Sequence, residues 1–106
     1  MQTLHRKVAA ITGAGSGIGR GIARELAHQG SHLALSDADD DGLAETVALI
    51  EQSAGLSGNV KVTSTRIDVT ECDAVEAWAM STVEEFGHVN LIFNNAGLRW
   101  RPTSVQ

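Results

Sequence analysis

The chain has 106 residues, of which 42% are hydrophobic and 20% charged, so it is expected to form one ordinary globular domain. Its 8 basic and 13 acidic residues give a net charge of −5, which argues against binding to nucleic acid or to an anionic membrane surface. The apolar runs are too short to span a bilayer, and the single cysteine, Cys72, excludes an internal disulfide. Together these features predict a cytoplasmic protein.

The first half of the chain predicts a strand, a helix, a second strand and a second helix. Val8–Thr12 is an apolar run that ends at a glycine, as expected of a strand buried on both faces. Helical spacing extends from Ile18 to Gln29, with Ile18, Ile22 and Leu26 on one stripe. The remaining predictions for this half are a helix end at Gly30, a strand over His32–Asp37 and a helix over about Asp40–Ser53.

The second half predicts a strand, a helix and a final strand. Val60–Ile67 alternates and is rich in β-branched residues, which is typical of a strand. Thr70 is a candidate N-cap for the next helix, with Asp73 approximating a capping box, and Gly87 ends that helix. Val89–Phe93 is the fourth strand. The resulting order, βαβαβαβ, predicts a parallel sheet with right-handed crossovers.

A glycine-rich turn, TGAGSGIG, follows the first predicted strand and opens the first helix. Its pattern is G-x-x-x-G-x-G, formed by Gly13, Gly17 and Gly19, and no Lys-Ser or Lys-Thr follows, so it is not a P-loop. The first N–H groups of a helix have no partners within the helix and can bind an anion where no side chain intervenes. The alternative interpretation is a tight strand–helix turn that binds nothing.

An aspartate, Asp37, stands at the predicted end of the second strand. A carboxylate at this place can accept hydrogen bonds from the hydroxyls of an adenosine ribose and would repel a 2′-phosphate. Neither Ser16 nor Ala38 is basic, so these residues predict NAD as the cofactor and make NADP less favourable. The alternative is that Asp37, within the segment DADDD, only forms a solvated turn or a helix cap.

All four predicted strands end in small or polar residues, in the segments TGAGSGIG, SDAD, DVT and NNAG. In an open parallel sheet, ligands bind outside the carboxyl ends of the strands, near the point where the strand order reverses. The four segments therefore predict a dinucleotide site along one edge of the sheet.

These motifs, over about residues 5–98, resemble the classical short-chain dehydrogenase/reductase family. The resemblance implies a Rossmann-type, doubly wound α/β sheet in the order 3-2-1-4, incomplete in this chain. It implies an NAD-binding domain over residues 1–98, followed by a tail of unknown structure over residues 99–106. It also implies NAD(P)-dependent hydride transfer between alcohols and carbonyl compounds in a complete enzyme.

The resemblance assigns two groups of cofactor-binding positions. Those that would line the pyrophosphate and its ribose are Gly13, Ser16, Ile18 and Gly19, with Gly17 in the same glycine pattern. Those for the adenosine half are Asp37 on the ribose, Asp68 on the adenine amino group, the Val69 backbone on the ring, and Asn95, Ala96 and Gly97 beneath. Thr12 and Asn94 are expected to tie strand ends together rather than to touch the cofactor.

The catalytic residues of the family do not match this sequence. The family's chemistry resembles acid catalysis by a tyrosine next to a lysine, in a Y-x-x-x-K motif downstream of NNAG, with a serine and an asparagine. The chain has no tyrosine, its lysines are Lys7 and Lys61 at predicted strand starts, and Ser104 follows NNAG too closely. We therefore expect the N-terminal part of such an enzyme, cut after its fourth strand, that binds NAD without transferring hydride.

Two other interpretations remain open at this stage: a non-catalytic nucleotide-binding or interaction module, and a chain that a separate chain completes. No metal site is predicted from the histidines, Cys72 is expected to be a passive cysteine rather than a reactive one, and no substrate is predicted. The fourth strand, Val89–Phe93, is expected to have an unpaired edge, which favours self-association.

Overall fold

The computed structural model describes residues 6–53, 60–68 and 72–94. The predicted order of strands and helices is confirmed. The elements are β1 (Val8–Thr12), α1 (Gly17–His28), β2 (His32–Asp37), α2 (Asp40–Ser53), β3 (Val62–Arg66), α3 (Cys72–Phe86) and β4 (Leu91–Asn94). The predicted cap at Thr70 and the predicted tail, residues 99–106, lie outside the described residues.

The four strands form one parallel sheet in the order β3-β2-β1-β4, which confirms the order that the family resemblance implied. β1 is buried along its whole length, because it lies between β2 and β4 and has helices on both faces. This explains the continuous apolar run of Val8–Thr12.

Two hydrophobic clusters show which helices cover which face. On one face, Ala9 and Ile11 of β1 pack with residues of α1 and α2, including Leu26 and Leu43. On the other face, Ala10 and its neighbours pack against Trp78 of α3. The helices that follow β1 and β2 thus share one face and the helix that follows β3 crosses to the other, as right-handed crossovers require for this strand order.

The predicted apolar stripe of α1 is only partly correct. Leu26 is buried, but Ile18 is 63% exposed. The residues of α1 that are buried against the sheet and α2 are Gly19, Ala23, Leu26 and Ala27. Small side chains let the helix approach closely, and Ile18 remains in the first turn at the open edge of the sheet.

The two outer strands are displaced from their predicted bounds. β4 begins at Leu91 rather than Val89, because the Asn90 side chain takes the place of a ladder partner: the Val8 N–H donates to Asn90 Oδ1 at 2.9 Å. The Asn90 N–H in turn donates to the Val8 carbonyl at 2.9 Å. β3 pairs with β2 only over Val62–Arg66, and is shorter than predicted.

Self-association was expected through the edge of β4. Among the described residues, β4 is hydrogen-bonded to β1, and Ile92, which pairs with Ala10, is 75% exposed on the face that carries α3. Self-association through this edge stays a prediction.

The Asn90–Val8 contact makes a prediction about stability. Val8 is 1% exposed, so Asn90→Ala leaves its N–H without an acceptor and should lower the free energy of unfolding by about 1–3 kcal/mol. Urea unfolding followed by circular dichroism measures this. Asn90→Asp keeps an oxygen acceptor and should lose less. An Asn90→Ala variant as stable as the parent would contradict this role for the side chain.

Candidate dinucleotide site

The carboxyl ends of the strands meet along one edge, as predicted. The register places Thr12 opposite both Ser36 of β2 and Asn94 of β4. The Thr12 hydroxyl donates to Asn94 Oδ1 at 3.0 Å. The expected role of this pair in tying strand ends together is therefore confirmed.

The glycine turn connects β1 to α1 and leaves the start of the helix open. Gly17 has φ +58°, a conformation that favours glycine, and a Cβ there would meet nothing within 4 Å. Ser16 is the N-cap, but its hydroxyl makes no capping bond, and the first turn contains no acidic residue. Ser16, Gly17 and Ile18 are all exposed, so an anion could approach the first N–H groups of α1.

Gly19 is buried, whereas Gly17 is exposed. Gly19 lies on the face of α1 that packs against the sheet. Glycine at this point of a dinucleotide-binding turn permits close helix–strand packing. Gly13 has φ +66° and begins the turn directly after β1.

The turn is held against β2 by Asp37. The Gly15 N–H donates to Asp37 Oδ2 at 2.7 Å, and the Asp39 N–H donates to Oδ1 at 2.9 Å. Each carboxylate oxygen has a further lone pair, so both can still accept a hydrogen bond from a ribose hydroxyl. The cap of α2 is a separate residue: Asp39 Oδ1 accepts the Gly42 N–H at 3.1 Å. Asp37 is therefore not the cap of α2, which was one of the alternatives to a ribose contact.

A close contact between the turn and the start of α2 was not predicted from the sequence. A Cβ on Gly15 would lie 2.9 Å from Asp37 Oδ2 and 3.2 Å from the Gly42 carbonyl carbon. A Cβ on Gly42 would lie 2.6 Å from the Gly15 carbonyl oxygen. The available signal was a glycine in the first turn of a helix, where it costs stability unless close packing requires it.

A second missed feature is Arg20, which joins the same turn to α2. Its Nη2 donates to the Gly15 carbonyl at 2.5 Å and to the Gly42 carbonyl at 3.2 Å. Its Nε donates to the Thr46 hydroxyl at 2.8 Å, and that hydroxyl donates to the Ala14 carbonyl at 2.7 Å. Thr46 is fully buried. A threonine inside the apolar stripe of a helix is the sequence signal that could have indicated this network.

The other predicted positions are described only in part. Asp68 follows β3 and is exposed. Val69, Asn95, Ala96 and Gly97 lie outside the described residues. Within residues 6–53, 60–68 and 72–94, no group of three His, Cys, Asp or Glu side chains is placed to hold a metal ion, and no helix is long and apolar enough to cross a membrane.

Comparison with known proteins identifies many relatives. The SadH protein of Mycobacterium tuberculosis is 49% identical over 100 residues, which cover 94% of this chain and 34% of SadH. A short-chain dehydrogenase/reductase from Burkholderia phymatum, solved with NAD, is 39% identical with a TM-score of 0.74, over 87% of this chain and 31% of that one.

A third relative was solved with the other cofactor. L-sorbose reductase from Gluconobacter frateurii, in complex with NADPH and L-sorbose, is 34% identical with a TM-score of 0.80, over 91% of this chain and 35% of that one. The chain thus spans about a third of the length of these relatives. The family model for short chain dehydrogenases matches residues 7–106, and the chain belongs to that family.

Proposed function

We propose that this chain is the N-terminal dinucleotide-binding part of a short-chain oxidoreductase and that it prefers NAD to NADP. The observation that carries the proposal is the position of Asp37, bonded to the middle of a glycine turn whose helix start is open. The whole enzyme would catalyse hydride transfer between an alcohol and a carbonyl compound, with the nicotinamide ring as hydride acceptor or donor.

The open start of α1 fits a pyrophosphate. Ser16, Gly17 and Ile18 would present N–H groups, and Ser16 also has a hydroxyl that is not used for capping. The helix dipole favours an anion there by about 0.3–1 kcal/mol at an exposed site. Gly13 would shape the turn at the end of β1, and Gly19 would shape it where α1 packs against the sheet.

The preference for NAD rests on charge at the end of β2. Asp37 would accept hydrogen bonds from the adenosine ribose, whereas a 2′-phosphate would place a second anion beside its carboxylate. Ser16 and Ala38 supply no positive charge. Arg66 is exposed and lies opposite Asp37 in the register, so it limits the discrimination against NADP without removing the repulsion.

The proposal also covers the adenine end of the cofactor and the groups that catalysis would require. Asp68 and Val69 would contact the adenine, and Asn95, Ala96 and Gly97 would pass beneath the adenosine half. Proton transfer needs groups outside this sequence: it has no tyrosine, and Lys7 and Lys61 lie at the amino ends of β1 and β3. Lys61 is moreover paired with Glu85 and lies 5.2 Å from the Phe86 ring centroid.

Titration calorimetry with both nucleotides tests cofactor choice. NAD should bind at least about tenfold more tightly than NADP, because a desolvated like-charge contact costs a few kcal/mol. Asp37→Asn, which keeps an oxygen for the Gly15 N–H, should narrow that ratio. Asp41→Asn removes a negative charge from the exposed start of α2 and should leave the ratio of NAD to NADP affinity unchanged. Equal affinities in the unmodified chain would refute the preference.

A pair of glycine variants tests the geometry of the turn. Gly15→Ala inserts a Cβ against Asp37 and Gly42 and should weaken NAD binding and lower stability by about 1–3 kcal/mol. Gly21→Ala, on α1 where a Cβ meets nothing within 4 Å, should raise stability by up to about 1 kcal/mol. Urea unfolding and calorimetry measure both. A Gly15→Ala variant that behaves like Gly21→Ala would show that the turn is not tightly packed.

An absorbance assay for NADH tests the expectation that the chain binds the cofactor but does not catalyse hydride transfer. The 106-residue chain should show no turnover with a panel of alcohols and ketones, because it has no tyrosine and Lys7 and Lys61 lie at the amino ends of their strands, away from the candidate site. Turnover by the pure chain that is lost in Gly15→Ala would overturn this expectation.

A further inference from the structure

We propose that Arg20 is a positioning residue for the pyrophosphate turn: acting through the Gly15 peptide and Thr46, it fixes the turn against α2 before the cofactor binds. This inference rests on the proposed function, because it concerns the affinity of the same site. Arg20 would not itself touch the cofactor.

The Gly15 residue is held through both of its backbone polar groups. Its N–H donates to Asp37 Oδ2 at 2.7 Å, and its carbonyl accepts Arg20 Nη2 at 2.5 Å. One contact comes from the end of β2 and the other from α1, so the residue is fixed from two directions. The turn cannot change its backbone conformation at this point without breaking at least one charge-assisted hydrogen bond.

Thr46 extends the same network into the core. Its hydroxyl has a single proton, which it donates to the Ala14 carbonyl at 2.7 Å, and it accepts the Arg20 Nε proton at 2.8 Å. The successive carbonyls of Ala14 and Gly15 are therefore both bound by groups of this network. Thr46 is fully buried, and a buried hydroxyl is tolerated only when it is hydrogen-bonded.

The guanidinium lies on the α2 side of the turn. It also donates to the Gly42 carbonyl at 3.2 Å and reaches Glu45 at 3.4 Å. Its described partners are two carbonyls, a hydroxyl and a carboxylate of the protein. The geometry thus makes Arg20 a bridge between the turn and α2, whereas a residue that binds phosphate directly would direct its donors to the first turn of α1.

Fixing the turn in advance raises affinity for a physical reason. A glycine-rich turn has a large number of accessible backbone conformations. A ligand that must order the turn when it binds therefore has a lower affinity. The network removes this freedom in the free protein. Its loss should weaken the binding of ligands that contain the pyrophosphate and should leave the binding of adenosine alone unchanged.

The experiment compares Arg20→Gln, Thr46→Val and their double variant with Arg24→Gln, which removes the same charge from an exposed position of the same helix. NAD binding is measured by calorimetry, adenosine binding by NMR titration, and the fold by circular dichroism. Arg20→Gln and Thr46→Val should each weaken NAD binding at least about fivefold and adenosine binding less than twofold. The double variant should lose less than the product of the two single effects.

Thr46→Val separates positioning from a simple charge effect, because it changes no charge and keeps the side-chain volume. Arg20→Lys gives a second separation: lysine keeps the charge but lacks the rigid pair of Nε and Nη2 donors that reaches Thr46 and Gly15, so it should not restore the full affinity for NAD. Amide exchange at Gly15 should accelerate in Arg20→Gln and Thr46→Val, while the amides of β1 keep their rates.

The outcomes distinguish this inference from the proposed function. An unmodified chain that binds no NAD would overturn the function. Normal NAD binding by the chain together with unchanged binding and unchanged Gly15 exchange in Thr46→Val would overturn the positioning role. Full recovery of NAD affinity in Arg20→Lys would also overturn it, since a direct charge contact would then suffice.

Discussion

The hydrogen bond from the Gly15 N–H to Asp37 is the contact on which the site depends. It joins the turn after β1 to the end of β2 across 2.7 Å, and Gly15 has no Cβ, which would lie only 2.9 Å from the same Asp37 oxygen. A Cβ on Gly42 would likewise lie 2.6 Å from the Gly15 carbonyl oxygen. The turn, the end of β2 and the start of α2 consequently form one packed unit. The start of α1, where Ser16, Gly17 and Ile18 are exposed, takes no part in these contacts.

The strand order makes this contact possible. β2 is the neighbour of β1 in the sheet, so the residue that ends β2 lies beside the turn that follows β1. α2 returns on the same face as α1, and its first turn therefore meets the glycine turn from the other direction. On the opposite side of β1, the Thr12–Asn94 bond ties β4 to the same edge. The candidate site is thus a consequence of a sheet whose order reverses at β1.

Periodicity and glycine positions were enough to predict the elements, their order along the chain, and the place of Asp37 at the end of β2, whereas the order of the strands in the sheet came from the family resemblance. They were not enough for the hydrogen bonds from Arg20 to α2, from Thr46 to Ala14 and from Val8 to Asn90, because these join residues that are distant in sequence, by 22 to 82 positions. Apolar spacing also misplaced Ile18, since it records which residues are hydrophobic but not how closely small residues allow a helix to approach.

Asp37 combines two roles that cannot be varied independently. Under the proposed function, its carboxylate would disfavour a 2′-phosphate, and as an acceptor it fixes the Gly15 N–H. A change at this position that admits NADP must therefore also supply another acceptor to Gly15, or the turn loses one of its two restraints. The other restraint, from Arg20 to the Gly15 carbonyl, acts on the same residue. If the proposed function is correct, cofactor choice and the rigidity of the glycine turn are linked through a single residue, Gly15.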